Sequence, residues 1–178
     1  PERYWAYRAG IGFPGKNTLL VIPGAGSYFF LGELFLNLEA DAYDEPIGNR
    51  CGSCTRCLDA CPTHALYEPY RMDARRCLSY LTIENRGSIP PEAAKAMETC
   101  IYGCDRCQRA CPYNKAAKPT DVDDFRPDAR LLGMTPDDWK NLTEEQYCEL
   151  FRASAVKRAK YSGLMRNIRA VGQGGEEK

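Results

Sequence analysis

Histidine occurs once, at His64, the acidic and basic side chains balance at 24 each, and no apolar run approaches the length of a membrane span. Each scarcity excludes a class. One imidazole cannot supply the two histidines of a Cys2His2 zinc site, and a formal net charge of zero gives no global signature of a nucleic-acid binder. Without a membrane-length segment the chain is expected to be soluble, cytoplasmic and free of membrane partners. No charged n-region followed by an apolar h-region is visible, so the cysteines do not read as the disulfide framework of a secreted chain. At 178 residues and 44% apolar composition, one domain or a small domain with appendages is expected.

What the chain has is ten cysteines. Cys51, Cys54, Cys57 and Cys61 with Pro62 spell C-x2-C-x2-C-x3-C-P, and Cys104, Cys107 and Cys111 with Pro112 repeat its C-x2-C-x3-C-P part. A thiolate every third residue lets one tight loop place three sulfurs around a cubane of iron and sulfide. The last cysteine of each run points to the other cluster. Two [4Fe-4S] clusters follow, one on Cys51, Cys54, Cys57 and Cys111, the other on Cys61, Cys104, Cys107 and one further thiolate. Cys77 and Cys100 both qualify, and spacing does not choose between them. Cys148, among Tyr147, Leu150 and Phe151, reads as a buried structural thiol.

Along the chain, Glu2–Ala9 reads as a helix. Gly10 and Gly15-Lys16 resemble a Walker A loop, but Asn17 replaces the Ser or Thr that holds magnesium and no strand precedes, so nucleotide hydrolysis is rejected. Asn17–Ile22 and Ser27–Phe35, around Pro23–Gly26, read as a β-hairpin. Asp73–Ile83 suits a helix presenting Cys77 from its first turns, with Gly87 ending it, and Pro90–Met97 suits another with proline at its start. Thr135 and Thr143 open two more helices, the latter with a capping box to Gln146, and a further helix begins near Ala155. From Arg152 to Arg169 every charged side chain is basic, a candidate phosphate-contacting face. The tail from Gly172 reads as disordered and as a true C-terminus. His64 is expected at the surface or beside a ligand, without a catalytic role.

Tyr7–Asn17, Gly26–Glu33, Cys51–Cys54, Ala74–Glu84, Arg86–Pro90 and Ile101–Cys107 together resemble the bacterial epoxyqueuosine reductases, over Pro1 to about Asn167. The resemblance implies reduction of epoxyqueuosine to queuosine at the tRNA wobble position, with two [4Fe-4S] clusters and cobalamin as cofactors and an unidentified electron donor. It implies that Cys77 completes the second cluster, Cys100 being a departure from the family. It also implies that Lys16, Asn17, Ser27, Leu31, Ser79 and Asp105 contact cobalamin and that Arg86 faces the tRNA. Lys157 and Arg158 join the tRNA-facing set on charge alone. The family's proton-donor aspartate is expected upstream of Pro1, so this chain alone is expected to hold clusters without turnover and to be monomeric.

The resulting expectation is an α+β fold. A two-[4Fe-4S] ferredoxin-like domain with a helical insertion occupies 49–118. It is preceded over 1–48 by a remnant β-hairpin of a cobalamin-binding domain and followed over 119–178 by a helical segment with its tail. A ferredoxin-type electron carrier and a cobalamin-dependent reductive dehalogenase relative are the alternative functions. The aromatic hairpin and the Glu84–Pro90 segment separate the enzyme from a diffusing carrier. A basic helix facing tRNA separates it from a dehalogenase.

Overall fold

In the computed structural model, residues 1–175 are described. The elements in chain order are α1 (Glu2–Arg8), β1 (Phe13–Pro14), β2 (Leu20–Val21), α2 (Arg56–Asp59), α3 (Leu78–Ile83), α4 (Pro91–Met97), α5 (Arg106–Arg109), α6 (Ala129–Leu132), α7 (Pro136–Lys140), α8 (Glu144–Leu150) and α9 (Lys160–Gly175). Short 3-10 segments lie at Ala74–Arg76, Pro112–Ala116, Asp123–Phe125 and Ala155–Ala159. Mostly short helices and one small sheet make the chain α+β. Among the described residues no helix is long and apolar enough to cross a membrane. Two compact units are formed, one from 1–73 with 105–119, the other from 74–104 with 120–178.

In the first unit, β1 and β2 pair antiparallel with Phe13 opposite Val21 and Pro14 opposite Leu20. Phe13 is fully buried and meets the Tyr113 ring edge-to-face at 5.3 Å. The connecting turn closes through Gly15, whose N–H donates to the Leu19 carbonyl at 2.7 Å. A Cβ at Gly15 would stand 2.7 Å from Asn17 Oδ1 and 3.0 Å from Val21 Cγ2, so only glycine fits.

The expected hairpin is corrected by this pairing. Leu20–Val21 takes its partner from upstream, while the Pro23–Gly26 turn closes with only an isolated Ile22–Gly26 bridge. Beyond it, residues 28–36 form no strand. The cause is a competing long-range bond: the Ser27 N–H that would continue a ladder donates instead to Asn114 Oδ1 at 2.6 Å. Gly26, at φ +93°, brings the backbone against Asn114 where a side chain would collide. Phe30, Leu34 and Phe35, read as strand residues, are exposed.

In the second unit, Leu78 and Leu81 of α3, Ala93 and Met97 of α4 and Ala170 of α9 form one apolar cluster. Leu164, Met165 and Ile168 of α9 form another with Leu142, Tyr147 and Phe151. α9 therefore contributes to both clusters. Fully burying side chains such as Met97 or Leu164 contributes about 1.5–3 kcal/mol each. The Thr135 and Thr143 caps are present as complete capping boxes, with Asp138 and Gln146 as reciprocal partners. Proline stands at the start of α4.

Three local expectations change. The Ala74–Arg76 segment is a 3-10 turn, so Cys77 is the N-cap of α3 and not a residue of its first turns. Cys148 is exposed, on the outward side of α8, where Tyr147 and Phe151 take the buried positions. α9 continues through Gly172 to Gly175, although the glycines predict no helix. The remainder of the tail expected to be disordered, 176–178, lies outside the described residues.

A polar knot braces the second unit. Asn167 is fully buried, and its Nδ2 donates to the carbonyls of Thr82 at 2.8 Å and Ile101 at 2.9 Å. The equally buried Thr82 hydroxyl donates to Leu78 O at 2.7 Å and accepts the Gly103 N–H at 2.9 Å. Arg166 reaches Asn167 Oδ1 and the carbonyls of Leu81, Asn85 and Gly87. With every partner satisfied, the network fixes the backbone leading into Cys104.

Candidate iron-sulfur centre

The two cysteine runs fold alike because they are spelled alike. In each, a one-turn helix, α2 or α5, carries the penultimate cysteine, Cys57 or Cys107, and a Cys-Pro pair follows it. Cys61 N–H donates to Leu58 O at 3.1 Å and Cys111 N–H to Gln108 O at 3.0 Å, three residues back in both cases. Asn49 sets the entry to the first run: its Oδ1 accepts the Cys51 N–H at 2.9 Å while its Nδ2 donates to Pro14 O at 2.5 Å. Asp105 sets the entry to the second, accepting from Gln108 Nε2 at 2.8 Å.

Cys51, Cys54 and Cys57 share with Cys111 the lining of a cavity of about 180 Å³, walled also by Gly15, Lys16, Asn17 and Tyr113. The last cysteine of the second run thus joins the first three of the first run. Lys16 holds the wall shut, its Nζ donating to Gly52 O at 2.6 Å and Cys54 O at 2.9 Å. Tyr113, also in the lining, donates to Arg50 O at 3.0 Å.

Burial, and then the neighbouring charges of Cys51 and, more weakly, Cys111, push the Cys57 thiol up. Crowded thiolates of this kind are stabilised by binding a cationic core, which deprotonates them outright. Among the described residues no three His, Cys, Asp or Glu side chains converge as ligands of one metal ion. A tetrahedral zinc would need each sulfur about 2.3 Å from a common point. Cys51, Cys54, Cys57 and Cys111 instead line one cavity, and a multi-iron core is held by four thiolates.

Comparison with known proteins agrees. The family described as "4Fe-4S double cluster binding domain" matches residues 50–114. The chain is 42% identical to an epoxyqueuosine reductase of Cellulophaga algicola, over 94% of this chain and 54% of that protein. It is 47% identical to one of Burkholderia pseudomallei, over 95% and 43%. A crystal structure of epoxyqueuosine reductase with an epoxyqueuosine-modified tRNA stem loop superposes on 96% of this chain and 45% of that one, with TM-score 0.83 and 33% identity. By sequence, the chain is similar to the epoxyqueuosine reductases. It spans about half the length of the curated relatives it matches.

The remaining cysteines divide between the two units. Cys61 is buried with Sγ 3.9 Å from Thr63 Oγ1, and Cys107 is half-buried on α5 in the same unit. In the second unit Cys77 caps α3, and Cys104 packs against the Leu78, Leu81 and Met97 cluster. Cys100 Sγ donates to the carbonyls of Gly103 at 3.0 Å and Tyr102 at 3.6 Å, a bond that a ligating thiolate could not make.

Of the residues the epoxyqueuosine reductase resemblance assigns to cobalamin, Lys16 and Asn17 line the cysteine cavity. Ser27 donates its hydroxyl to Gln108 Oε1 at 2.9 Å. Leu31 lies with Trp5, Ile22 and Phe29 in an open apolar groove of about 560 Å³. Asp105 is exposed at the start of α5, and Ser79 is on α3 in the other unit. Arg86 is engaged structurally, donating to Arg158 O at 2.9 Å, Ile83 O at 3.2 Å and Ala159 O at 3.4 Å. Arg158 is ion-paired with Glu84, and Lys157 is exposed.

Sequence inspection missed Asn49, Asn114 and Asn167, the amides that tie the loops together. For Asn114 a signal existed, since it follows Cys111-Pro-Tyr directly. For Asn167 there was none, because a lone asparagine in a basic helix does not announce a buried knot.

Proposed function

We propose that this chain forms part of an epoxyqueuosine reductase, in which two [4Fe-4S] clusters supply electrons for reduction of the epoxide of epoxyqueuosine in tRNA, with cobalamin as the further cofactor. The observation that carries the proposal is the cavity in which Cys111 meets Cys51, Cys54 and Cys57. Similarity to epoxyqueuosine reductases supports the substrate, and a similar structure holding an epoxyqueuosine-modified stem loop supports tRNA as partner.

This chain's own part is to hold electron carriers and set their potentials. The thiolates of Cys51, Cys54, Cys57 and Cys111 bind the first core, and Cys61, Cys77, Cys104 and Cys107 are the ligands proposed for the second. Lys16 places a cation beside the first site, which favours its reduced, more negative state. Cobalamin supplies, when bound, a strongly reducing centre. Lys16 and Ser27 already have protein partners, so the cobalamin assignment rests on resemblance and no step is routed through it.

The test is anaerobic conversion of epoxyqueuosine-bearing tRNA by the natural polypeptide that carries this chain, with reductant and cobalamin supplied. Cys51→Ser and Cys111→Ser are each expected to abolish conversion. Undiminished conversion in either variant would overturn the proposal.

A further inference from the structure

Asn17 is 4% exposed and lines the cavity of the four cysteines. Its Oδ1 accepts the Leu19 N–H at 3.3 Å. That bond fixes which end of the amide is which, since an N–H cannot donate to the amide nitrogen. The other end, Nδ2, is the single buried side-chain nitrogen or oxygen among the described residues that has no hydrogen-bond partner. A buried amide donor left dry destabilises a fold, and native structures retain one where an unseen group satisfies it.

We propose that Asn17 Nδ2 donates a hydrogen bond to a sulfur of the cluster held by Cys51, Cys54, Cys57 and Cys111, making Asn17 a positioning residue that raises that cluster's reduction potential. The proposal rests on the cluster assignment and deepens it. Sulfide and thiolate sulfurs carry more negative charge in the reduced cluster, so a donor aimed at them stabilises the reduced form preferentially. The backbone around Asn17 holds it in place: Gly15 packs against Oδ1, and Lys16 ties the adjacent residue to the cysteine loop. Lys16 Nζ is occupied by two carbonyls, so the Asn17 amide and not the lysine ammonium is available as a donor to the cavity.

The chain is purified anaerobically with asparagine labelled with ¹⁵N, its clusters are assembled, and iron, sulfide and the electron paramagnetic resonance of the reduced state are read first. No cluster would overturn the cluster assignment and the proposal together. With clusters present, pulsed hyperfine spectroscopy is expected to show a ¹⁵N coupling that disappears in Asn17→Leu. A cluster signal without any asparagine coupling in the wild-type chain overturns the proposal alone and leaves the assignment standing; that outcome would mean a water satisfies Nδ2. The midpoint potential of one cluster, and not the other, is expected to move to more negative values in Asn17→Leu. Asn17→Asp, which keeps the bond from Leu19, is expected to move it the same way. Should Asn17→Leu fail to assemble its cluster, the wild-type coupling and Asn17→Asp still decide the matter.

Discussion

Lys16 and Cys54 are joined by a hydrogen bond of 2.9 Å from the lysine ammonium to the cysteine's carbonyl, across 38 positions of sequence. With the companion bond to Gly52, it ties a loop that the sequence presents as a failed nucleotide-binding motif to the loop that carries three cluster ligands. The lysine of that loop faces backbone carbonyls, not phosphate.

Removing that tie is expected to loosen the cysteine loop. Lys16→Met, which keeps the stem and removes the charge, is expected to cost about 1.5–3 kcal/mol, as hydrogen bonds to charged groups do. Thermal unfolding of the cluster-loaded chain measures it, together with faster loss of iron to a chelator. A variant as stable and as retentive as the parent would show the tie to be incidental.

Cys77 and Cys100 separate under substitution. Cys77→Ala is expected to halve the iron bound per chain, while Cys100→Ala is expected to leave it unchanged, because the Cys100 thiol is committed as a donor to Gly103 O. Iron and sulfide assays on both variants check this, and the reverse pattern would exchange their roles.

Asn167→Ala leaves the Thr82 and Ile101 carbonyls without their donor. The cost is expected to be about 1–3 kcal/mol for each carbonyl left dry. Thr82→Val should act in the same direction and less than additively with it, since the two side chains belong to one network. Denaturant unfolding of the single and double variants measures the coupling.

The capping box at α7 gives a pH signature. Hydrogen bonds from the Thr135 hydroxyl and N–H to Asp138 hold its carboxyl below the ordinary value of 3.8. A depressed folded-state pKa contributes stability that is full above the ordinary value and is lost as pH falls through the folded one. Asp138→Asn is therefore expected to flatten the acid limb of the stability profile, with no change in the slope above about pH 5. An acid limb identical to the parent's would remove the carboxylate from the account.

On the basic face, Lys157 and Lys160 are exposed, whereas Arg158 is paired with Glu84 and Arg166 is sunk among carbonyls. Neutralising both lysines is expected to weaken binding of a tRNA anticodon stem loop and to reduce the slope of log affinity against log salt by roughly 2, near one unit for each phosphate that then keeps its counterion. Neutralising Arg158 should change the slope less. An unchanged slope in the lysine double variant would end the electrostatic account.

One grouping of the candidate site was legible in the sequence because iron chemistry constrains spacing: C-x2-C-x2-C-x3-C-P groups Cys111 with Cys51, Cys54 and Cys57, and these four line one cavity. The capping boxes at Thr135 and Thr143 were legible for the same reason, a local rule with a local cause. The strand pairing was not. Ser27–Phe35 carries aromatic and apolar residues enough for a strand, but its first N–H is taken by Asn114, 87 positions away, and local pattern cannot register that competition. Arg86 and Arg158 read as a nucleic-acid face because charge is visible in a sequence, whereas the carbonyls and the carboxylate that occupy them appear only on folding.

The glycine turn at Gly15–Leu19 sets a boundary for anyone dissecting this protein. Excision at 50–114, the limits of the matched cluster domain, would keep every sulfur proposed as a cluster ligand and discard the roof over the first core. Such a peptide should still take up iron, yet shed it quickly in air, because oxygen and solvent would enter through the opening that Lys16 and Asn17 now fill.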